Sequence, residues 1–313
     1  MQLNIIHNID CLTGLRQLPD NCVDCLVTSP PYWSLRSYDC DGQIGLEDDF
    51  NDYITRLIDV FAEIKRVLKK TGTCFVNLGD TYGGAGHGYD TKWRKSKERY
   101  KLMGDNNKTG RLINTSLNKS MLLLPYRFAI WMVESGWKLR NIIIWHKPNQ
   151  LPQGVFDRFT NDFEPVFFFT KTNKYFFNQL FERYEKPLAR WGGDNLVANG
   201  TSEWSEGTGQ RVYRNRKLCP NPQGRNMRCV WSINTKGEKE KHYASYPQKL
   251  IGRLIEAGCP EGGIVLDPFM GSGTTAVVAR KLNRNYIGFE LNAEYVEIAN
   301  RKLNRELGIF REL

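Results

Sequence analysis

The 313-residue sequence has no apolar run close to the roughly 20 residues that a membrane-spanning helix requires. Its amino-terminal stretch lacks the basic segment and the apolar core of a secretory signal. Hydrophobic residues make up 41% of the chain and charged residues 25%, a composition that excludes wholesale disorder. We therefore expect a folded cytoplasmic protein with no membrane partner.

Closely spaced cysteines are also scarce. The eight cysteines are spread along the chain, which favours reduced thiols over a disulfide scaffold. Cys22 and Cys25 form the one C-x₂-C pair, whereas a structural zinc site needs four ligands with paired short spacings. Cys25 lies in an apolar run, where a thiol packs as a small hydrophobic group. The sequence therefore predicts no metal site.

Positive charge is concentrated in two segments. The chain has 44 Lys and Arg against 34 Asp and Glu, a net charge of +10. Residues 82–120 carry a net +6 and residues 171–245 a net +7, so the remainder carries −3. In the first of these two basic inserts, Trp93 and Tyr100 alternate with cations, a mixture that suits phosphate pairing and base stacking. The pattern indicates an anionic partner, although charge alone leaves open two solvated loops.

Strand and helix patterns alternate along the rest of the chain, which predicts an α/β layered fold. Short apolar runs predict strands over residues 23–27, 73–78, 138–146, 164–170, 263–267 and 285–290. Apolar residues at helical spacing predict helices over residues 50–68, 122–133, 248–257, 274–282 and 294–307.

A glycine turn, DPFMGSGTT, runs from Asp267 to Thr275 between a predicted strand and a predicted helix. Small residues there let a ligand approach the backbone closely at a helix amino terminus. The turn has neither the lysine of a phosphate loop nor a GxGxxG pattern. Glu290 ends the next predicted strand, where an acidic residue can accept both hydroxyls of a ribose. Together these features predict a nucleoside-containing cofactor, with a plain tight turn as the alternative.

A proline motif, TSPPYW, begins at Thr28 directly after the first predicted strand. Its two prolines remove backbone donors and leave rigid carbonyls. The Ser29 hydroxyl and the Pro30 carbonyl can each accept a hydrogen bond from an exocyclic amine, and Tyr32 offers a flat face to a base. Alone the motif would suit a surface turn, but together with the glycine turn it predicts a catalytic site.

With these two motifs the chain resembles the DNA amino-methyltransferases, which use S-adenosyl-L-methionine to methylate N4 of cytosine or N6 of adenine. Ser29-Pro30-Pro31-Tyr32 matches the family's [DNS]PP[YFW] catalytic motif, and the segment from Asp267 to Gly273 resembles its cofactor motif. The catalytic motif comes first, as in the permuted group called beta. The resemblance implies a Rossmann-like methyltransferase fold with a mostly parallel sheet, helices on both faces and circularly permuted motif order.

The resemblance also implies roles for individual residues. It assigns catalysis to Ser29, Pro30, Pro31 and Tyr32, and direct methyl transfer without a covalent enzyme intermediate. The cofactor-binding residues that it implies are Asp10, Tyr246, Pro247, Asp267, Pro268, Phe269, Gly271, Gly273, Thr274 and Glu290. Asp10 would approach the adenine of the cofactor, and Tyr246 and Pro247 its methionine end. Candidate DNA contacts in the basic inserts are Lys92, Arg94, Lys95, Arg211, Arg214, Arg216 and Lys217.

The implied organisation is one catalytic body interrupted by a recognition region. Residues 1–170 form the catalytic part with the insert at 82–120, residues 171–241 the target-recognition region, and residues 242–313 the cofactor-binding part. The implied partner is double-stranded DNA, from which the target base is flipped out. The resemblance also allows a cognate restriction endonuclease, a prokaryotic or phage source, and either a monomer or a homodimer.

The target atom is the least constrained part of the sequence prediction. Serine at the first position of the catalytic motif favours N4 of cytosine, and N6 of adenine is the alternative. An RNA or protein-glutamine methyltransferase shares the proline motif and is a further alternative. A DNA-binding module without catalytic activity would keep the basic inserts, but would not need both motifs intact.

Overall fold

The computed structural model describes residues 2–34, 40–83, 117–151, 153–183, 221, 223–235 and 246–308. The candidate DNA contacts Lys92, Arg94, Lys95, Arg211, Arg214, Arg216 and Lys217 lie outside these residues. Among the helices in the described ranges, none is long and apolar enough to cross a membrane. Contacts divide the chain into a body, Met1–Asn178 with Cys229–Leu313, and a smaller unit, Gln179–Arg228.

The body contains eight strands and six helices within the described residues. The strands are β1 (Ile5–Asn8), β2 (Val23–Thr28), β3 (Leu68–Asn77), β4 (Lys138–His146), β5 (Phe163–Thr170), β8 (Val230–Ser232), β9 (Ile264–Asp267) and β10 (Asn285–Glu290). The helices are α1 (Cys11–Arg16), α2 (Phe50–Val67), α3 (Leu124–Glu134), α4 (Gln248–Gly258), α5 (Thr274–Lys281) and α6 (Ala293–Leu307). The described part of the smaller unit contains an antiparallel pair, β6 (Phe181–Glu182) and β7 (Arg225–Asn226).

The eight strands of the body form one sheet in the order β1-β10-β9-β2-β3-β5-β4-β8. Among these eight described strands, only β5 runs antiparallel to its neighbours. The chain leads from β9 outward to β10, and from β2 in the opposite direction to β3, so the strand order reverses between β9 and β2. In open α/β sheets, ligands bind beyond the carboxyl ends of the strands at such a switch point. The predicted mostly parallel sheet is confirmed.

Helices cover both faces of the sheet. Cys74 and Val76 of β3 belong to the main hydrophobic core, which includes most of the buried face of α2. Phe75, between them, points to the opposite face, where α4 packs so closely that a Cβ on Gly258 would lie 2.4 Å from the Phe75 ring. The period-two alternation of the strand therefore supplies both helical layers with apolar contacts.

All helices and strands predicted from the sequence are present within a few residues of their predicted ends. The prediction missed β1, α1 and the short strands β6 to β8. β1 has four residues and depends on pairing with β10, and six-residue α1 depends on its Asp10 cap, so neither carries a strong local pattern. β8 falls within the predicted recognition region 171–241, yet it pairs with β4 of the body. The recognition role of that region stays a prediction.

Candidate active site

The proline motif and the glycine turn begin at adjacent points of the sheet. Thr28 ends β2 and Asp267 ends β9, and the pairing of Leu26 with Leu266 brings these two strand ends together. The Thr28 hydroxyl donates a hydrogen bond to Asp267 Oδ1 at 2.7 Å. Two motifs that are 239 residues apart in sequence therefore share one edge of the sheet, at its switch point.

Asp267 holds this junction together. Its buried carboxylate accepts hydrogen bonds from the Thr28 hydroxyl and the Phe269 N–H on Oδ1, and from the Tyr246 and Thr275 hydroxyls on Oδ2, at 2.6–3.1 Å. A carboxylate offers about four lone-pair positions, so the protein's own donors use all of them. Burial raises the pKa of Asp267, while these hydrogen bonds favour the charged form. Asp267 and Tyr246, to both of which the resemblance assigns cofactor binding, are therefore hydrogen-bonded to each other, and their cofactor roles stay predictions.

The glycine turn depends on its two glycines. Gly271 and Gly273 have φ values of +52° and +77°, a left-handed conformation that disfavours residues with a side chain. A Cβ on Gly273 would lie 2.8 Å from the Ala299 Cβ of α6. Thr274 begins α5, and its hydroxyl accepts a hydrogen bond from Lys302 at 2.9 Å. The turn therefore both bends sharply and packs tightly beneath the site.

Glu290 lies at the end of β10, beside the glycine turn. Its carboxylate accepts hydrogen bonds from the backbone N–H groups of Gly271 at 2.7 Å and Asn292 at 2.9 Å. The N–H of Leu291 also favours the charged carboxylate, and the described residues still leave part of its acceptor capacity unused. Burial is the main cause that raises the pKa of Glu290. Unlike Asp267, this residue is partly exposed, and its carboxylate retains acceptor positions suited to ribose hydroxyls.

Asp10 lies next to Glu290 because β1 pairs with β10. The N–H of Ile9 donates to the Glu290 carbonyl at 3.1 Å, which continues the parallel pairing to the edge of the sheet. Asp10 is the N-cap of α1, and its Oδ1 accepts the Thr13 N–H at 3.0 Å. The structure thus places both predicted acidic residues at neighbouring strand ends, where their carboxylates form a pair of hydrogen-bond acceptors that suits the hydroxyl and amine donors of a nucleoside.

Tyr32 of the proline motif is held from several sides. Its hydroxyl donates to Glu164 Oε2 at 2.8 Å and lies 3.2 Å from Asn77 Oδ1 and 3.5 Å from Ser29 Oγ. The ring lies against Gly79, where a Cβ would be 2.4 Å from a ring carbon. Burial, followed by the charge of Glu164, raises the pKa of Tyr32 well above its ordinary value. Tyr32 is therefore a neutral phenol with a fixed ring.

A hydrogen bond from a side chain of α2 holds the proline turn in place. The Tyr53 hydroxyl donates to the Pro31 carbonyl at 2.9 Å. The Ser34 N–H donates to the Gly45 carbonyl at 2.8 Å, just beyond the motif. These bonds hold the turn that presents Ser29 and the Pro30 carbonyl at the end of β2.

Three residues of this site, Glu164, Lys147 and Asn77, were missed from the sequence. Lys147 and Glu164 form an ion pair, and their side chains are only 13% and 17% exposed. The Lys147 ammonium also lies 4.4 Å from the centre of the Trp145 ring. Asn77 donates to Glu164 Oε2 at 3.1 Å. The available signal was a carboxylate in an otherwise apolar strand, because Glu164 lies near the start of β5.

Comparison with known proteins extends over almost the whole chain. The family model N6_N4_Mtase, described as DNA methylase, matches residues 23–301, a range that contains both motifs. The chain is 39% identical to the Type II methyltransferase M.Cfr9I of Citrobacter freundii over 297 residues, 95% of this chain and 86% of that protein. It is 36% identical to the Type II methyltransferase M.SmaI of Serratia marcescens, over 95% of this chain and 89% of that protein.

Solved structures share the fold at lower identity. A PvuII DNA methyltransferase described as cytosine-N4-specific aligns with a TM-score of 0.61 and 17% identity, over 97% of this chain and 93% of that one. TTHA0409 of Thermus thermophilus, a putative DNA modification methylase solved with S-adenosyl-L-methionine, aligns with a TM-score of 0.58 and 21% identity, over 96% and 93% of the chains. The sheet described above is therefore the Rossmann-like methyltransferase fold.

Proposed function

This chain belongs to the DNA methylase family that the N6_N4_Mtase model describes, and from that premise we propose that it transfers a methyl group from S-adenosyl-L-methionine to N4 of cytosine in double-stranded DNA. The observation that carries the choice of atom is Ser29 at the first position of the catalytic motif, beside the cofactor turn at the switch point. N6 of adenine is the alternative, since a hydroxyl can accept an N–H from either amine.

The residues at the carboxyl edge fit this cofactor. Glu290 would accept the ribose hydroxyls, Asp10 would lie towards the adenine end, and the glycine turn would let the cofactor approach the backbone closely. When bound, S-adenosyl-L-methionine supplies an electrophilic methyl group on a sulfonium. Asp267 has an indirect role in this proposal. Its carboxylate accepts the Thr28 hydroxyl and so fixes the residue that precedes the catalytic motif.

The proline motif orients the target amine. Ser29 Oγ and the Pro30 carbonyl would each accept one amine N–H, which would leave the nitrogen lone pair available for attack. The Tyr32 ring supports the flipped base, and Glu164 keeps that ring in place through the phenol. Catalysis by this chain therefore consists of positioning and of acceptors arranged in advance.

We expect Glu164→Ala to lower kcat about tenfold or more, because Tyr32 would lose the acceptor that fixes its ring. Glu164→Gln keeps an acceptor for Tyr32 but loses the charge paired with Lys147, so its effect should be smaller. Methyl-transfer kinetics and calorimetric cofactor binding measure both properties on the same samples. A parallel loss of cofactor affinity would show that Glu164 supports the fold rather than Tyr32.

Cofactor affinity should fall as the pH is lowered. Ribose hydroxyls donate to the ionised form of Glu290, whose pKa is raised by burial, so its protonation begins at a higher pH than for an ordinary glutamate. We expect the Kd for S-adenosyl-L-methionine to rise as the pH is lowered from about 7.5 towards the titration range of glutamate, and to begin rising at a higher pH than it would for an ordinary glutamate. Glu290→Gln should bind more weakly at about pH 7.5 and show a flatter pH dependence. Glu294→Gln, an exposed neighbour with the same charge change, should retain the wild-type profile.

We extend the proposal to the wider biological setting. The names of M.Cfr9I and M.SmaI as Type II methyltransferases support a modification role, with a cognate restriction endonuclease as partner. The cations Lys92, Arg94, Lys95, Arg211, Arg214, Arg216 and Lys217 are proposed to contact DNA phosphates. Base specificity belongs to the recognition region 171–241 in this proposal.

Modification mapping tests the proposed function. The full chain is expressed in a host that lacks DNA methylation, and its DNA is sequenced by a method that separates N4-methylcytosine from N6-methyladenine. We expect N4-methylcytosine within one recognition sequence, and far less of it with the Ser29→Ala chain. N6-methyladenine would overturn the choice of base, and the absence of any modified base would overturn the proposed activity.

A further inference from the structure

The loop between β4 and β5, residues 147–162, lies at the catalytic edge of the sheet. β4 and β3 both run antiparallel to β5 and therefore share one direction, so the end of β4 is at the same edge as the ends of β2 and β3. The loop begins at Lys147, which pairs with Glu164, the residue that binds the Tyr32 phenol. We call it the β4–β5 loop.

Large apolar side chains in this loop are almost fully exposed. Phe156 is 102% exposed, Phe159 97% and Leu151 78%. Among the other large hydrophobic residues that the structure describes, the most exposed is Val230 at 63%. Such a group of apolar side chains, beside a catalytic site, indicates a surface that is covered when a partner binds.

Two contacts hold the middle of the β4–β5 loop against the rest of the body. Asp157 forms an ion pair with Lys119 at 2.7 Å, and the Arg158 guanidinium lies 3.5 Å from the centre of the Tyr82 ring. Tyr82 follows β3 by a few residues, so this contact ties the middle of the loop to the catalytic edge. The anchored pair lies between Phe156 and Phe159, which leaves both rings projecting outward.

We propose that Phe156 inserts into the base stack of duplex DNA and fills the space that the flipped target base leaves. Flipping opens a gap in the stack and costs unstacking energy, which is recovered in part when an apolar group occupies the gap. An aromatic ring stacks on either neighbouring base without regard to sequence. The inference rests on the proposed function, in that it requires a target in duplex DNA.

Two duplexes containing the mapped recognition sequence test the proposal, one with the target base paired and one with it opposite an abasic position. Phe156→Ala should lower kcat/KM about tenfold or more on the paired duplex, because the flipped state loses its wedge. On the second duplex, where flipping breaks no base pair, the loss should be markedly smaller. Phe156→Leu keeps an apolar wedge and should remain close to wild type on both.

Trp131→Ala is the matched control, because it also removes an exposed aromatic side chain. Trp131 lies near the end of α3, and this helix end is held by the hydrogen bond from Lys65 to the Ser135 carbonyl. It should leave both rates unchanged. Equal losses for Phe156→Ala on the two duplexes, or no loss on the paired one, would overturn the proposal. A fall in Tm or a change of oligomeric state with unchanged rates would assign Phe156 to contacts with this chain or a second copy instead. Failure of the wild-type enzyme on both duplexes would count against the proposed function.

Discussion

Replacing Ser29 with alanine is expected to lower methyl transfer about 100-fold or more, while the affinity for S-adenosyl-L-methionine stays unchanged. In the proposed mechanism the hydroxyl is one of two acceptors that orient the target amine, and the methyl side chain of alanine offers no acceptor in its place. The cofactor side of the site does not depend on it, because the link between β2 and β9 is made by Thr28 and Asp267. Ser29→Ala should therefore lower the rate of methyl transfer without changing the affinity for the cofactor.

Single-turnover methyl transfer and calorimetry measure these two quantities. Tyr32→Ala should likewise lower methyl transfer and leave cofactor affinity unchanged. In the proposed mechanism its ring supports the base, and its phenol contacts Glu164 rather than the glycine turn. Ser135→Ala removes an equivalent hydroxyl beyond the end of α3, where it bonds to the Trp131 carbonyl, and should leave both quantities unchanged. If cofactor affinity collapsed with Ser29→Ala, the assignment of Ser29 to the target amine would be wrong.

Asp267→Ala should damage both cofactor binding and folding stability. The carboxylate accepts four hydrogen bonds in a fully buried position, and its loss leaves the Thr28, Tyr246 and Thr275 hydroxyls and the Phe269 N–H without that acceptor. Each unsatisfied buried donor costs about 1–3 kcal/mol, although relaxation and the removal of a buried charge offset part of the total. We expect the free energy of unfolding to fall by about 2–4 kcal/mol.

Cofactor affinity should fall about tenfold or more in the same variant, because the glycine turn and the end of β2 lose their common anchor. Denaturant unfolding without cofactor and calorimetry with cofactor measure the two effects independently. Asp20→Ala is the control, since this carboxylate is 67% exposed in its ion pair with Arg66 and should contribute less than about 1 kcal/mol. Normal stability together with normal affinity would contradict the role of Asp267 as anchor.

The sequence by itself determined the α/β class, the longer helices and strands, and the positions of the two motifs. These features arise from local patterns, such as the apolar spacing of α2 or the two glycines Gly271 and Gly273. Such patterns are visible in the sequence without knowledge of which residues are neighbours in space. The short elements β1 and α1 were not predicted, because β1 is stabilised by pairing with β10 and α1 by its N-cap rather than by their own composition.

Only the tertiary structure decided how the surroundings of the acidic residues differ. Asp267 and Glu290 both end strands. Side-chain hydroxyls supply three of the four donors around the Asp267 carboxylate, whereas the partly exposed Glu290 carboxylate accepts the backbone N–H groups of Gly271 and Asn292. The tertiary structure was also needed to find the contact between Glu164 and Tyr32, which are 132 residues apart in sequence. It was needed as well to show that Phe156 is exposed, which no sequence pattern indicates. The physical reason is that strand pairing between distant segments sets which donors reach a carboxylate and which side chains remain in solvent.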